Sequence, residues 1–225
     1  MHLYILPAPL SRVSGAYWMY PRWKEVAQKV RLFFVERLST ARSWLKSMGI
    51  GEEARLFEWS SQKGDWEWEA YEAVFGQRAM AALLSDAGLP GVADPGTSVV
   101  RRAHAEGYKI IPLAGPSSVT LALAASGLSG QSFTFWGYPP VEKQARRKFL
   151  FKVFTQAKEM TQILMETPAR NQKLFMEILE KAPPTLLLCV AHHLTAEEGF
   201  VRTKPISHWE KVEIPKAPTL FLLGR

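Results

Sequence analysis

The chain has 225 residues, enough to bury a good core in one large or two small domains. Hydrophobic residues make up 47% and charged residues 22%, an ordinary globular balance, and a single cysteine excludes both a disulfide framework and a zinc cage of several thiolates. The net charge of +7 is compatible with a polyanionic partner such as RNA without requiring one.

Leu3 to Leu6 reads as a short strand, followed by the rigid loop Pro7 to Ser11. Met1 to Leu6 is too short an apolar stretch for a secretory signal and lacks a basic leader. Arg22 to Val30 reads as a helix and Leu32 to Val35 as a buried strand ending at Glu36. Thr40 to Met48 is a second helix, with Gly49 in the usual stop position. Trp66 to Phe75 is helical and Met80 to Leu84 is a buried parallel strand.

The loop Ser85 to Gly96 then contains three glycines and two prolines, between that strand and a helix beginning near Ser98. Ligands of open α/β sheets sit at the carboxyl ends of strands, where such a loop lies. Glycine admits close backbone approach, and proline fixes the path. Asp86 and Asp94 would repel a phosphate, so a cationic or zwitterionic ligand fits better. The plain alternative is a structural turn with an aspartate capping the next helix.

Val99 to Ala105 continues as a helix ended by Gly107, and Lys109 to Leu113 is a strand. Strands alternating with helices predict a parallel β/α architecture. A break at Ala114 to Ser118 divides the chain into an N-terminal α/β domain, 1–113, and a C-terminal one, 114–225. Beyond it, Val119 to Ser126, Gln144 to Gln156 and Gln172 to Lys181 read as helices. Ser132 to Trp136, Gln162 to Met165, Thr185 to Val190 and Thr219 to Leu223 read as strands, with some antiparallel pairing. Ile110 to Val141 carries no formal charge, but prolines and glycines interrupt it too often for a membrane span.

Two domains imply a cleft, the usual place for a small-molecule site. It should collect the loops Pro7 to Ser11, Glu36 to Ser39, Ser85 to Gly96 and Ala114 to Ser118, and the turn Glu166 to Arg170. No P-loop or dinucleotide fingerprint is present. His192 and His193 do not make a metal site, because neighbours on a strand face opposite ways and no third ligand is suitably spaced. Lys143, Arg146, Arg147, Lys148 and Lys152 form either a phosphate-facing stripe or a solvated helix face. Trp18 and Trp23, beside Arg22 and Lys24, and Trp59, Trp66 and Trp68 either stack on unpaired bases or serve in packing. Cys189, in the apolar run Thr185 to Ala191, reads as a buried core thiol in a reducing cytoplasm.

SDAGLPGVADPG, IIPLAGPSS and ASGLSGQSFTFWGYPP, in that order, resemble the tetrapyrrole methylase superfamily. The closest branch is the one that methylates a ribose 2′-hydroxyl of small-subunit ribosomal RNA; PAPLS, FFVER and METPAR match its first loop, second strand and glutamate-centred turn. The resemblance implies two α/β domains enclosing S-adenosylmethionine in a cleft, and a homodimer. It places the cofactor against Gly88, Leu89, Pro90, Val92, Ala93 and Asp94, with Ser117 and Ser118 on another side. Thr167, Ala191, His192 and Pro218 contribute from the second domain. Backbone carbonyls and carboxylates suit a sulfonium cation.

For the transfer, Glu36 and Glu166 are the candidate base or orienting carboxylates, and Arg170 either holds a phosphate or pairs with Glu166. The chain departs from the ribosomal branch at Arg37, Leu38 and Ser39, and at Ala191 to Ala196, on the acceptor side. RNA of the small ribosomal subunit is the leading acceptor. The alternatives are a tetrapyrrole precursor methylated at carbon and a non-catalytic RNA- or ribosome-binding protein that keeps the fold.

Overall fold

The structure, a computed structural model, describes residues 1–11, 21–50, 53–58, 66–94 and 96–225. The chain divides into two compact units, Met1–Ser117 and Ser118–Arg225.

In the first unit, strands β1 (His2–Leu6), β2 (Leu32–Val35), β3 (Arg55–Glu58), β4 (Ala81–Leu84) and β5 (Lys109–Pro112) pair in the order β3-β2-β4-β1-β5, all parallel. Helices α1 (Pro21–Lys29), α2 (Leu38–Ser47), α3 (Trp66–Tyr71) and α4 (Thr97–Ala105) connect them. Because side chains alternate across a strand, the sheet feeds two cores. Leu6, Phe33, Val35, Ala82 and Leu84 pack with Val26, Ala27, Ala41 and Leu45 of α1 and α2. Leu3, Phe34, Ala81 and Leu83 pack with Ala70, Val99 and Ala103 of α3 and α4. All four residues of β4 are buried, as expected for a central parallel strand covered on both faces.

The second unit holds β6 (Phe133–Phe135), β7 (Thr161–Glu166), β8 (Leu187–His192), β9 (Phe200–Pro205) and β10 (Thr219–Gly224), ordered β6-β7-β10-β8-β9. Only β6 and β7 pair in parallel; β10 runs antiparallel between β7 and β8, and β9 antiparallel to β8. Helices α6 (Lys143–Gln156) and α7 (Asn171–Lys181) cover one face through Leu150, Val153, Leu174 and Ile178. Helix α5 (Ser118–Ser126) covers the other, where Val119 and Ala122 meet Ile163, Cys189 and Leu222. Cys189 is a buried core thiol, as expected. No helix among the described residues is long and apolar enough to cross a membrane.

Several expectations require correction. Strands β3 and β9 were not anticipated: RLFE and FVRTKP are edge strands without a buried run to announce them. The helix expected over Trp66 to Phe75 changes to a π-helical turn at Glu72–Gly76. Trp23 offers no ring for base stacking, because it is buried and its indole N–H donates to the Pro7 carbonyl at 2.8 Å. Trp18 and Trp59 lie outside the described residues.

The indole bond ties α1 to the loop after β1. Trp23→Phe keeps the aromatic packing but leaves the Pro7 carbonyl without this donor. Urea denaturation of the variant should show a loss of about 1 to 2 kcal/mol.

Candidate functional site

Parallel pairing sets the carboxyl ends of β1, β2, β4 and β5 on one edge of the first sheet. Val35 of β2 lies beside Leu84 of β4, so Glu36 and the loop from Ser85 begin as neighbours. Leu6 of β1 flanks Leu84 on the other side. There Ala8 and Gly88 exchange backbone hydrogen bonds of 2.8 and 2.9 Å, locking the proline loop to the glycine loop. Gly88 has φ +74°, and a Cβ on it would press on Leu10. At Gly115 a Cβ would collide with the Pro7 ring, so this glycine permits the closest backbone approach on the edge. Ser85 donates its hydroxyl to the Gly88 carbonyl at 3.1 Å. Ala93, at φ +63°, is held in the left-handed region that side chains disfavour, beside Asp94.

Glu36, Asp86 and Asp94 converge on this edge. The Asp86 backbone N–H donates to Oε2 of Glu36 at 3.1 Å, and Arg37 donates its Nε–H to the Asp86 carboxylate. Burial raises the Glu36 carboxyl, the Asp86 amide opposes that rise, the Asp86 charge adds to it and Arg37 relieves it. Asp94 is pushed up to about 7, first by burial and then by the charges of Glu36 and Asp86. Asp94 does not cap α4: Gly96 occupies the cap position, with no side-chain hydrogen bond there. Asp94 therefore lies along this edge without starting the helix. Leu89 packs into the core, Pro90 is buried, and Val92 and Ala93 face solvent.

In the second unit the register sets Glu166, Thr219 and His192 in one row across β7, β10 and β8. Thr167, Ala191, His192 and Pro218 thus gather at one sheet edge. Thr219 donates its hydroxyl to the Ala217 carbonyl at 3.0 Å, so its oxygen accepts from Nδ1–H of His192 at 2.9 Å. That bond fixes the tautomer and leaves Nε2 as an acceptor. Burial, then the neighbouring His193, lowers the His192 pKa and keeps the ring neutral. His193 leaves the strand at φ +43° and pairs with Glu198 at 2.7 Å. No group of metal-ligating side chains occurs among the described residues.

Glu166 is fully buried, and both of its oxygens are engaged. Oε1 accepts from the Thr167 N–H at 2.9 Å and from Arg170, whose Nη2 lies at 2.8 Å; Oε2 accepts from Nη1 of Arg146 at 3.2 Å. Arg146 also reaches Glu177 at 2.6 Å and the Pro140 carbonyl at 3.2 Å. This corrects the expected basic stripe: Arg146 points inward, at 3% exposure, and leaves the stripe to its neighbours. Of the two roles weighed for Arg170, the structure shows the pairing with Glu166. Sequence reasoning missed Arg37, Arg146 and Thr219 as partners of site residues. Their contacts span 49, 20 and 27 positions, and no local spacing signals them.

No protein-family model matches the chain. It is 29% identical over 204 residues to ribosomal RNA small subunit methyltransferase I of Escherichia coli O157:H7, covering 91% of this chain and 69% of that protein. It is 28% identical to the protein of the same name from Buchnera aphidicola, covering 88% of this chain and 67% of that one. The chain therefore spans about two thirds of the length of these relatives. Among solved structures it is similar to the methyltransferase CobJ, with a TM-score of 0.65 at 16% identity over 100% of this chain and 93% of that one. It is also similar to uroporphyrin-III-C-methyltransferase from Thermus thermophilus, with a TM-score of 0.60 at 16% identity, covering 99% and 94% of the two chains. At these identities the structural likeness concerns the fold.

Two outcomes follow from the charges. The folded chain keeps a proton on Asp94 up to a pH of about 7, whereas an unfolded aspartate loses it near pH 3.9. Between those values the native state binds more protons, so this group's contribution makes stability fall as pH rises and level off above the upper one. Asp94→Asn should flatten that dependence in urea denaturation across the pH range. Arg146→Ala removes the buried partner of Glu166 and should lower unfolding stability by about 3 to 5 kcal/mol in the same assay.

Proposed function

We propose that this chain, which resembles the tetrapyrrole methylase superfamily, transfers a methyl group from S-adenosylmethionine to a ribose 2′-hydroxyl of small-subunit ribosomal RNA. The observation that carries the reading is the similarity, over most of the chain, to ribosomal RNA small subunit methyltransferases I. The chemistry of the first sheet's edge agrees with it. Three carboxylates and a backbone-lined loop suit a cationic ligand and would repel a polyphosphate.

In this reading Gly88, Leu89, Pro90, Val92, Ala93, Asp94 and Ser117 hold the cofactor from the first unit. Ser118, Thr167, Ala191, His192 and Pro218 do so from the second. The bound donor supplies an electrophilic methyl group on a sulfonium, which departs as a neutral thioether. The chain must align the acceptor oxygen with that methyl and take up the hydroxyl proton. Glu36 is suited to the proton: its Oε2 is fixed by the Asp86 amide, and its Oε1 accepts no hydrogen bond among the described residues. A carboxyl raised by burial is also a stronger base than one in water. Glu166, with both oxygens occupied, positions Thr167 through its backbone N–H and does not reach an acceptor. Ionised Asp94 would attract the sulfonium. The reading includes a homodimer, as the superfamily resemblance implies, and a cytoplasmic location.

Small ribosomal subunits from a strain lacking this gene should accept labelled methyl from the purified chain and S-adenosylmethionine, and porphyrinogens should not. Glu36→Gln should keep calorimetric cofactor binding while transfer drops by about 10²- to 10⁴-fold. Absence of cofactor binding at high micromolar concentration would overturn the reading.

A further inference from the structure

We propose that the outer face of α6 is a docking surface for single-stranded RNA, with Phe151 as a base-stacking platform and Arg147 and Lys148 as its phosphate contacts. The proposal rests on the reading of RNA as the acceptor and adds where on this chain RNA is held.

Helix α6 separates its side chains sharply. Arg146, Leu150, Val153 and Phe154 turn inward. Gln144, Arg147, Lys148 and Phe151 fall at i, i+3, i+4 and i+7 and share one open face of the helix. Phe151 is 75% exposed, the highest value among the large apolar side chains described. Exposed in this way, the ring adds little to the core and is open to a partner. Lys143 and Lys152 extend the positive charge along the helix, and the Lys152 ammonium lies 4.9 Å from the centre of the Trp136 ring. None of Lys143, Arg147, Lys148 and Lys152 has an ion-pair partner among the described residues, and α6 contains no acidic residue.

An aromatic ring among unpaired cations matches the two parts of a single-stranded nucleic acid. A base stacks on the ring irrespective of its identity, and adjacent phosphates meet the guanidinium and ammonium groups. A second copy of this chain fits poorly. Packed against the same helix of a second copy, this face would meet only further cations, with no carboxylate within the helix to answer them.

The test measures the anisotropy of a labelled mixed-sequence RNA oligonucleotide bound by the full chain over a salt series. Calorimetric cofactor binding and thermal melting control for integrity. Phe151→Ala should weaken binding about tenfold, and Phe151→Trp should restore it. The pair Arg147→Glu and Lys148→Glu should weaken binding further and make the log–log salt slope shallower by about 1.4. RNA affinity unchanged in these variants, or no RNA binding by the unaltered chain, overturns the proposal. So does sedimentation showing that they only dissociate an assembly of copies. If the unaltered chain binds RNA through this face yet transfers no methyl to ribosomal subunits, the surface stands and the proposed reaction falls. Full transfer by variants that also keep RNA affinity sinks the surface alone.

Discussion

Parallel strand pairing is the constraint on which the first unit depends. Once β1, β2, β4 and β5 run the same way, their carboxyl ends share one edge, and every loop leaving that edge must turn there. Backbone pairing between Ala8 and Gly88 then brings two of these loops together, and Gly115 lets Pro7 approach. The result is a rim whose inner surface is largely backbone and whose charged groups are mostly acidic. Placing Glu36, Asp86 and Asp94 near one another opposes folding when all are ionised. Arg37 and the Asp86 amide offset part of that repulsion, and a proton on Asp94 removes more. A cationic ligand would relieve that cost, which agrees with the proposed site.

The second unit solves a different problem. Antiparallel β10, inserted between β7 and β8, lines up Glu166, Thr219 and His192 in a buried polar row. Burying a carboxylate there requires near-complete compensation, and Arg146, Arg170 and the Thr167 amide supply it. Helix α6 consequently divides its cations between two tasks: Arg146 faces the core and neutralises Glu166, while its neighbours face water.

Much of this is legible in the sequence. Strands of continuous apolar residues, such as Leu32–Val35 and Ala81–Leu84, are legible nearly to the residue. Two of the edge strands escape notice because RLFE and FVRTKP, with charged residues and no continuous apolar run, read as polar linkers. The π-helical turn at Glu72–Gly76 escaped because its hydrogen-bond spacing leaves no clear mark on the apolar pattern. Ala93 gave no warning of its left-handed backbone, which the surrounding loop imposes.

The amino-acid sequence alone determined the alternation of strand and helix, and the long glycine- and proline-rich loop from Ser85 to Gly96 that carries two aspartates. These are properties of residue type and short spacing. Tertiary structure decided which charges meet. Arg37 finds Asp86 and Arg146 finds Glu166, while Trp23 turns inward to Pro7 and Phe151 turns outward to water. Such pairings depend on strand order and on the rotation of each helix about its axis. Both are set by packing the whole unit at once, and no window of neighbouring residues contains that information.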